Sequence, residues 1–346
     1  MKKSLIALAV LAASGAAMAQ SSVTLFGIVD TAVGYVDHSG ATGAVDKSVY
    51  GLSTSGNLTS RLGFRGVEDL GGGLKAGFWL EGEIFGDNGN AAGFNFQRRS
   101  TVSLMGNFGE VRLGRELLAG YSKTSSYDLF SQTGIGQFMG WSAWGETATD
   151  AAGVRKNNMI SYYTPNMSGF TGGISYAFDE QTSGKVGRYI GGNVAYDNGP
   201  LSVALSFDRA NLTSTVERDK LTLGGSYNFG VAKAIAILQQ TKDDRGVLAE
   251  RKVNAYALGV SAPVGAGEVK LQYALYDQKA IDSKAHQISL GYVHNLSKRT
   301  AVYGTVAFMD NKDASNMGLS AKNLNTAGPG AGESQTGVQV GIRHAF

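Results

Sequence analysis

After residue 21, the sequence is built from segments of roughly ten residues that alternate between apolar and polar side chains, with turn residues between them. "SVTLFGIVDTAVGYV" (22–36) puts Val23, Leu25, Gly27 and Val29 on one face and Thr24, Phe26, Ile28 and Asp30 on the other. "EVKLQYALYDQ" (268–278), "KAHQISLGYVHN" (284–295) and the closing "TGVQVGIRHAF" repeat the pattern. A period of two is a strand signature, because successive side chains point to opposite faces. No apolar run beyond residue 19 approaches the ~18 residues of a membrane helix. A chain of this kind either packs sheets in water or crosses a membrane with strands.

The connections alternate too. Short ones carry turn residues: "DLGGG" (69–73), "GNFG" (106–109), "PNMSG" (165–169), "DNGP" (197–200), "NFG" (228–230), "PVGAG" (263–267) and "NLSKR" (295–299). Longer polar ones fall at 37–58, 86–95, 117–154, 179–187, 211–217, 243–250, 279–283 and 311–333. Seven short and eight long connections join sixteen strands, and an even number puts both termini on the short-turn side. These features predict an all-β fold: a sixteen-stranded antiparallel transmembrane β-barrel with short periplasmic turns and long external loops. Backbone groups cannot stay unpaired in lipid, so the sheet must close. Sixteen strands enclose more space than side chains can fill, which leaves an aqueous lumen. A soluble propeller or β-helix would need a blade-like repeat, and none is present.

Composition narrows the chemistry. Gly numbers 49 and Pro only 4, which suits tight turns and strands carrying small residues. There is no Cys, hence no disulfide and no thiolate. His38, His286, His294 and His344 are scattered without metal-ligand spacing. No G-x-S-x-G is present, "TKDDRG" lacks the spacing of a calcium loop, and "GPGAGES" lacks the Lys of a phosphate loop. No cofactor or metal is expected. Residues 1–19 read as a cleaved secretory leader: Lys2 and Lys3, an apolar "SLIALAVLAA", then Ala17-Met18-Ala19, with cleavage between Ala19 and Gln20. Residues 20–346 then form one barrel domain. The leader lysines supply two of the three formal positive charges, so basicity says nothing about nucleic acid.

Loop 117–154 is far longer than a hairpin needs and carries Tyr127, Phe130, Phe138, Trp141 and Trp144. So apolar a segment is expected to fold into the lumen and narrow it. Arg61, Arg98 and Arg155 sit in strands or at their starts and are candidates for a basic wall, with Asp128, Glu146 and Asp150 of the loop as opposing acids. A ring of Arg favours anions in a pore, and a ring of acids favours cations. Aromatics near strand ends, among them Phe26, Tyr35, Phe78, Trp79, Phe207 and Phe346, suit interfacial girdles.

The stretches "SSVTLFGIVDTAVGYV", "SRLGFRGVEDLGGGLKAGFWLE", "VSLMGNFGEVRLGRE", "YYTPNMSGFTGGISYAF", "LGYVHNLSKRTAVYG" and "VGIRHAF" resemble, in order and spacing, the trimeric general porins of Gram-negative bacteria, in their β-proteobacterial branch. The resemblance implies an outer-membrane homotrimer, each monomer holding its own pore, with the third loop folded inward as an eyelet. Arg61 in "SRLGFRG" and Arg98 in "FQRRSTVSL" match basic eyelet positions, and Arg155 before "KNN" matches a third. The loop departs from the family: where many relatives carry a Pro-Glu-Phe-Gly tip, this chain has "YDLFSQTGIGQFMGW". A C-terminal Phe, here Phe346, is read in such proteins by the barrel assembly machinery. The expected function is passive diffusion of ions and small hydrophilic solutes with weak anion preference. The expected surroundings are outer-membrane lipid and lipopolysaccharide, with no nucleic acid and no enzymatic step. A substrate-specific channel, a structural or adhesive surface barrel and an outer-membrane enzyme are the other readings.

Overall fold

A computed structural model describes residues 22–38, 48–90, 95–141, 153–244, 246, 250–279, 281–324 and 328–346. The expected leader, with its Ala19–Gln20 junction, lies outside the described residues, as do Glu146 and Asp150. Seventeen strand segments form one antiparallel sheet. They are β1 (Ser22–His38), β2 (Val49–Thr54), β3 (Arg61–Gly71), β4 (Leu74–Glu83), β5 (Arg99–Gly106), β6 (Gly109–Leu117), β7 (Arg155–Tyr163), β8 (Phe170–Ala177) and β9 (Tyr189–Asn198). They continue as β10 (Leu201–Asn211), β11 (Glu217–Asn228), β12 (Lys233–Asp244), β13 (Arg251–Val264), β14 (Gly267–Gln278), β15 (Ser283–Asn295), β16 (Thr300–Asp313) and β17 (Ser334–Ala345).

The sheet closes between β1 and β17, from Ile28↔Ala345 to His38↔Gln335. On its other side β1 pairs with two segments, β2 along Thr31–Val36 and β3 along Ser22–Ile28. β2 and β3 are therefore one barrel strand interrupted at 55–60, and the barrel has sixteen strands. Residues 49–54 belong to the barrel wall and not to the long connection expected at 37–58, and the interruption at 55–60 is what hides the strand from its sequence pattern. The Asp30 carboxylate, fully buried, accepts from the Gly56, Asn57 and Leu58 amides at 3.1, 3.0 and 2.7 Å, and from Tyr303 Oη at 2.5 Å. Ser55 takes a left-handed φ of 63° to start this turn. A carboxylate collecting backbone donors stands in for ladder bonds that the break removes.

The alternation sorts side chains inside out relative to a soluble protein. On β1, Val23, Leu25, Val29, Val33 and Tyr35 are exposed, while Asp30, Ala32 and Val36 are buried. On β14, Leu271 and Tyr273 are exposed and Gln272 is buried; on β15, Ile288 and Leu290 are exposed and Gln287 and Ser289 are buried. Apolar residues outside and polar ones inside are what a lipid-facing belt around a wet lumen requires. Among the described residues, no helix is long and apolar enough to cross a membrane. The start of β1 at Ser22 and the end of β17 lie at the end with the seven short turns.

Phe346 follows β17 on the same outward parity as Val338, Val340 and Ile342. It exchanges two backbone hydrogen bonds with Gly27, at 3.1 and 3.0 Å, and its ring lies over that glycine. Two expected girdle residues differ. Phe26 and Trp79 share inward parity, meet edge to face at 5.1 Å, and carry Arg65 over both rings. Aromatics favour strands on either face, so residue type alone does not assign them to lipid.

Candidate functional site: the narrowed lumen

The segment between β6 and β7 folds into the barrel. It begins with a short helix, α1 (Ala119–Thr124), continues through 3₁₀ turns at Ser125–Tyr127 and Met139–Trp141, and buries Tyr127, Phe130, Ile135, Phe138 and Trp141 to 4% exposure or less. Apolar residues alone would not seat it on a polar wall. Inward glutamines supply the bonds. Gln272 accepts from Leu129 N at 3.1 Å, Gln339 accepts from Ile135 N at 2.9 Å, and Gln287 donates to Ile135 O at 3.1 Å. Tyr276 Oη accepts from Met139 N at 2.9 Å, and Lys270 donates to Leu129 O at 2.9 Å.

Between these bonds, alternate strands carry inward glycines under the loop. A Cβ on Gly224 (β11), Gly259 (β13) or Gly291 (β15) would sit 2.3, 2.8 and 2.8 Å from Tyr127, Leu129 and Phe130 respectively. The missing side chains are notches into which the loop residues fit, and this close approach accounts for part of the glycine content.

Asp128, the described member of the expected acidic set, is 4% exposed. Its carboxylate accepts from Phe130 N (3.2 Å), Gln132 N (2.8 Å), Gln132 Nε2 (2.7 Å) and Gln272 Nε2 (2.9 Å). These partners belong to the loop and to β14, so the carboxylate holds the loop's own shape rather than standing free in the lumen. Burial pushes its pKa up, against the pull of the Gln272 and backbone hydrogen bonds.

The opposite wall, β3 to β7, is charged, and the structure brings the three sequence-predicted arginines together around one glutamate. Glu81 on β4 pairs with Arg98 Nε at 2.7 Å, and Arg61 Nε approaches the same oxygen at 3.9 Å. Arg155 Nε donates to the Arg98 carbonyl at 2.9 Å. Trp79 Nε1 donates to the other Glu81 oxygen at 3.1 Å. Two residues along the same face, Glu83 pairs at 2.5 Å with Lys322, which arrives from the connection between β16 and β17. Toward the short-turn end, Arg99 lies 4.5 Å from the Trp79 ring, and Arg112 pairs with Glu110 and Glu116 at 2.8 and 2.9 Å.

Of the charged side chains described on this wall, Arg61, Arg65, Arg98, Arg99, Arg112, Arg155 and the arriving Lys322 meet Glu81, Glu83, Glu110 and Glu116, seven cations to four carboxylates within that set. Facing Arg155 and Arg98, the loop offers Tyr121, whose phenol burial pushes up to about 12 and so keeps neutral. The sequence reading missed Glu81, Glu83 and Lys322. Glu81 and Glu83 had a signal, since "WLEGE" puts both on the inward parity of a strand next to two arginine-bearing ones. Lys322 had none, because nothing local ties residue 322 to residue 83. Among the described residues, no group of three or more His, Asp or Glu is placed to hold a metal.

Comparison with known proteins agrees with this architecture. Over its full length the chain is 68% identical to outer membrane porin protein 32 of Delftia acidovorans, also covered in full. It is 35% identical, again with both chains fully covered, to an outer membrane porin protein of Bordetella pertussis. The solved anion-selective porin from Comamonas acidovorans superposes with a TM-score of 0.89 at 65% identity, covering 94% of this chain and all of that one. A trimer form of OmpT from Vibrio cholerae shares the fold at a TM-score of 0.68 and 14% identity, over 94% of this chain and 99% of that one. The family model for the Gram-negative porin matches residues 5–314. With a closed sixteen-stranded barrel, an inward third loop and these relatives, the chain belongs to the Gram-negative porin family of the outer membrane.

Proposed function

We propose that this porin passes small hydrophilic solutes by passive diffusion with a weak preference for anions, and that it assembles as a homotrimer without performing chemistry. The observation that carries the preference is the wall opposite the loop, where seven cations meet four carboxylates beside the narrowed passage. Asp128, the acid of the loop among the described residues, is turned into the loop itself and does not offset that excess. Charges of one sign in a narrow, low-dielectric passage raise the local concentration of the opposite ion. The structural relative at 65% identity is described as anion-selective, which supports the same reading. Arg61, Arg98 and Arg155 form the basic wall. The loop aromatics support a general channel rather than a substrate-specific one, since Tyr127, Phe130, Phe138 and Trp141 are spent on seating the loop. Residues 1–19 act as the export leader, and Phe346 as a signal to the assembly machinery in a membrane of lipid and lipopolysaccharide.

The test is the reversal potential of the purified protein in planar bilayers under a salt gradient. Anion preference is expected, and Arg61→Ala with Arg98→Ala should reduce it. Strong cation preference in the wild type, or unchanged selectivity in the double variant, would overturn the assignment.

A further inference from the structure

The break in the second barrel strand lies where the tip of the inward loop meets the wall. β2 pairs with β1 as far as Thr54, β3 takes over at Arg61, and residues 55–60 leave the ladder between them. Carbonyls of an unbroken strand lie in the sheet and point at a neighbouring strand. Released from the ladder, the Ser55 carbonyl accepts from the Thr133 hydroxyl of the loop. Gly134 follows at a left-handed φ of 69°, packed so closely on the Gly56 carbonyl that a Cβ there would overlap it. Ile135 N then donates to Gln339, whose own amide donates to Ser53 Oγ at 2.9 Å. The tip of the loop thus lands on the break itself.

Asp30 holds this landing from end to end. Its main-chain oxygen accepts from Ser55 N at 2.9 Å, at the start of the turn, and its carboxylate takes the amides of Gly56, Asn57 and Leu58 in the middle. At the far end, Ser60 Oγ donates to the same main-chain oxygen and accepts from Asp30 N, both at 2.9 Å. Ser60 N closes the turn on Ser55 Oγ, again at 2.9 Å. The next residue is Arg61, which approaches Glu81 at 3.9 Å in the basic wall. One buried residue therefore holds the corner between loop and wall, with the loop tip on one side of the turn and Arg61 on the other. The tip needs such a hold. Ser131 and Gln132 take left-handed φ values of 58° and 57° in succession, which residues with a Cβ keep only where their surroundings impose it. Asp128 restrains that bend from within the loop, and the turn restrains it from the wall.

We infer that Asp30 is a positioning residue for the passage: by holding the 55–60 turn, it fixes the distance between the loop tip and Arg61, and with it the opening beside the basic wall. The inference rests on the space between loop and wall being the conducting path.

Single-channel recording of the purified protein in planar bilayers tests it, with reversal potential under a salt gradient and heat denaturation measured on the same preparations. Asp30→Asn sets an NH2 group against the amide donors of the turn. Thr133→Val removes the hydroxyl that reaches Ser55 and keeps the outline of the side chain. Each variant should replace the single open level of a pore with two or more interconverting levels and move the reversal potential toward zero. Tyr303→Phe is the control for stability alone, because it removes one bond to Asp30 and leaves the three turn amides and the Thr133 bond in place. It should lose heat resistance and keep one open level. Thr133→Val with the wild-type level, noise and reversal potential would overturn the inference, whether or not Asp30→Asn folds. So would the same multiple levels in Tyr303→Phe, which would make them a mark of lowered stability. A wild type without stepwise conductance would overturn the passage reading and this inference together, whereas a conducting wild type with silent variants overturns this inference alone.

Discussion

Asp30 sits inside the wall with four donors on one carboxylate, three of them amides of the 55–60 turn and the fourth the phenol of Tyr303. The Tyr303 bond spans the closing seam, since β17 lies between β16 and β1. A hydrogen bond to a buried charged group contributes about 1.5–3 kcal/mol, and its loss leaves the acceptor poorer by that much. Tyr303→Phe is therefore expected to lower stability by about 2 kcal/mol, read from urea unfolding of the barrel in lipid vesicles. Tyr121 makes a different prediction. Its phenol, held up to about 12 by burial, contributes stability that is present below the ordinary value of 10.0 and lost as pH rises through about 12. The arginines opposite it also keep their charge. Ion selectivity should therefore be flat between about pH 7 and pH 9 in reversal-potential measurements. Asp128 shows how far residue type carried at this scale. An acid in the long loop was legible as a candidate, but its direction was not, because the turn that folds Gln132 back onto it and the arrival of Gln272 are made by the fold.

The inward loop is a seat built from both partners. Its own aromatics were legible, because so many large apolar side chains in one connection could not remain in water. The wall's contribution was not: glutamines and glycines at inward positions read as generic lumen residues until the loop lies on them. Gly224 offers the test. A methyl there would press into the Tyr127 ring, whereas Gly225, the next residue, faces outward with only Ser202 O and a Val203 methyl nearby. Gly224→Ala should shift single-channel conductance and lower thermal stability by about 1–3 kcal/mol, with Gly225→Ala close to wild type. Equal behaviour of the two variants in conductance and heat-denaturation measurements would mean that the loop is not held by these notches. The interrupted strand also belongs here. "VYGLST" (49–54) is too short and too close to turn residues to read as a membrane strand, and only its pairing with β1 makes it one.

At the scale of the whole molecule, closure is the organising event. The Phe346 ring covers Gly27 and its backbone completes the seam, so the last residue shields a join that would otherwise face lipid. Deleting Phe346 is expected to cut the yield of folded, heat-resistant trimer several-fold while channels that do assemble keep near-normal conductance, checked by electrophoretic mobility and bilayer recording. Normal yield would remove the residue from assembly.

The sequence by itself determined what is local. Side-chain direction in a strand repeats every two residues, so the lipid and lumen faces, the strand number, the side on which the first strand starts and the last one ends and the place of the long loop were all present in the order of residues. Only the tertiary structure decided which charges meet. Lys322 reaches Glu83 across 239 residues of chain, and Gln339 reaches Ile135 across 204. Such contacts arise when a sheet is bent until its first strand pairs with its last. Their partners are then set by the barrel's circumference and strand register, quantities of the closed object that no window of sequence contains.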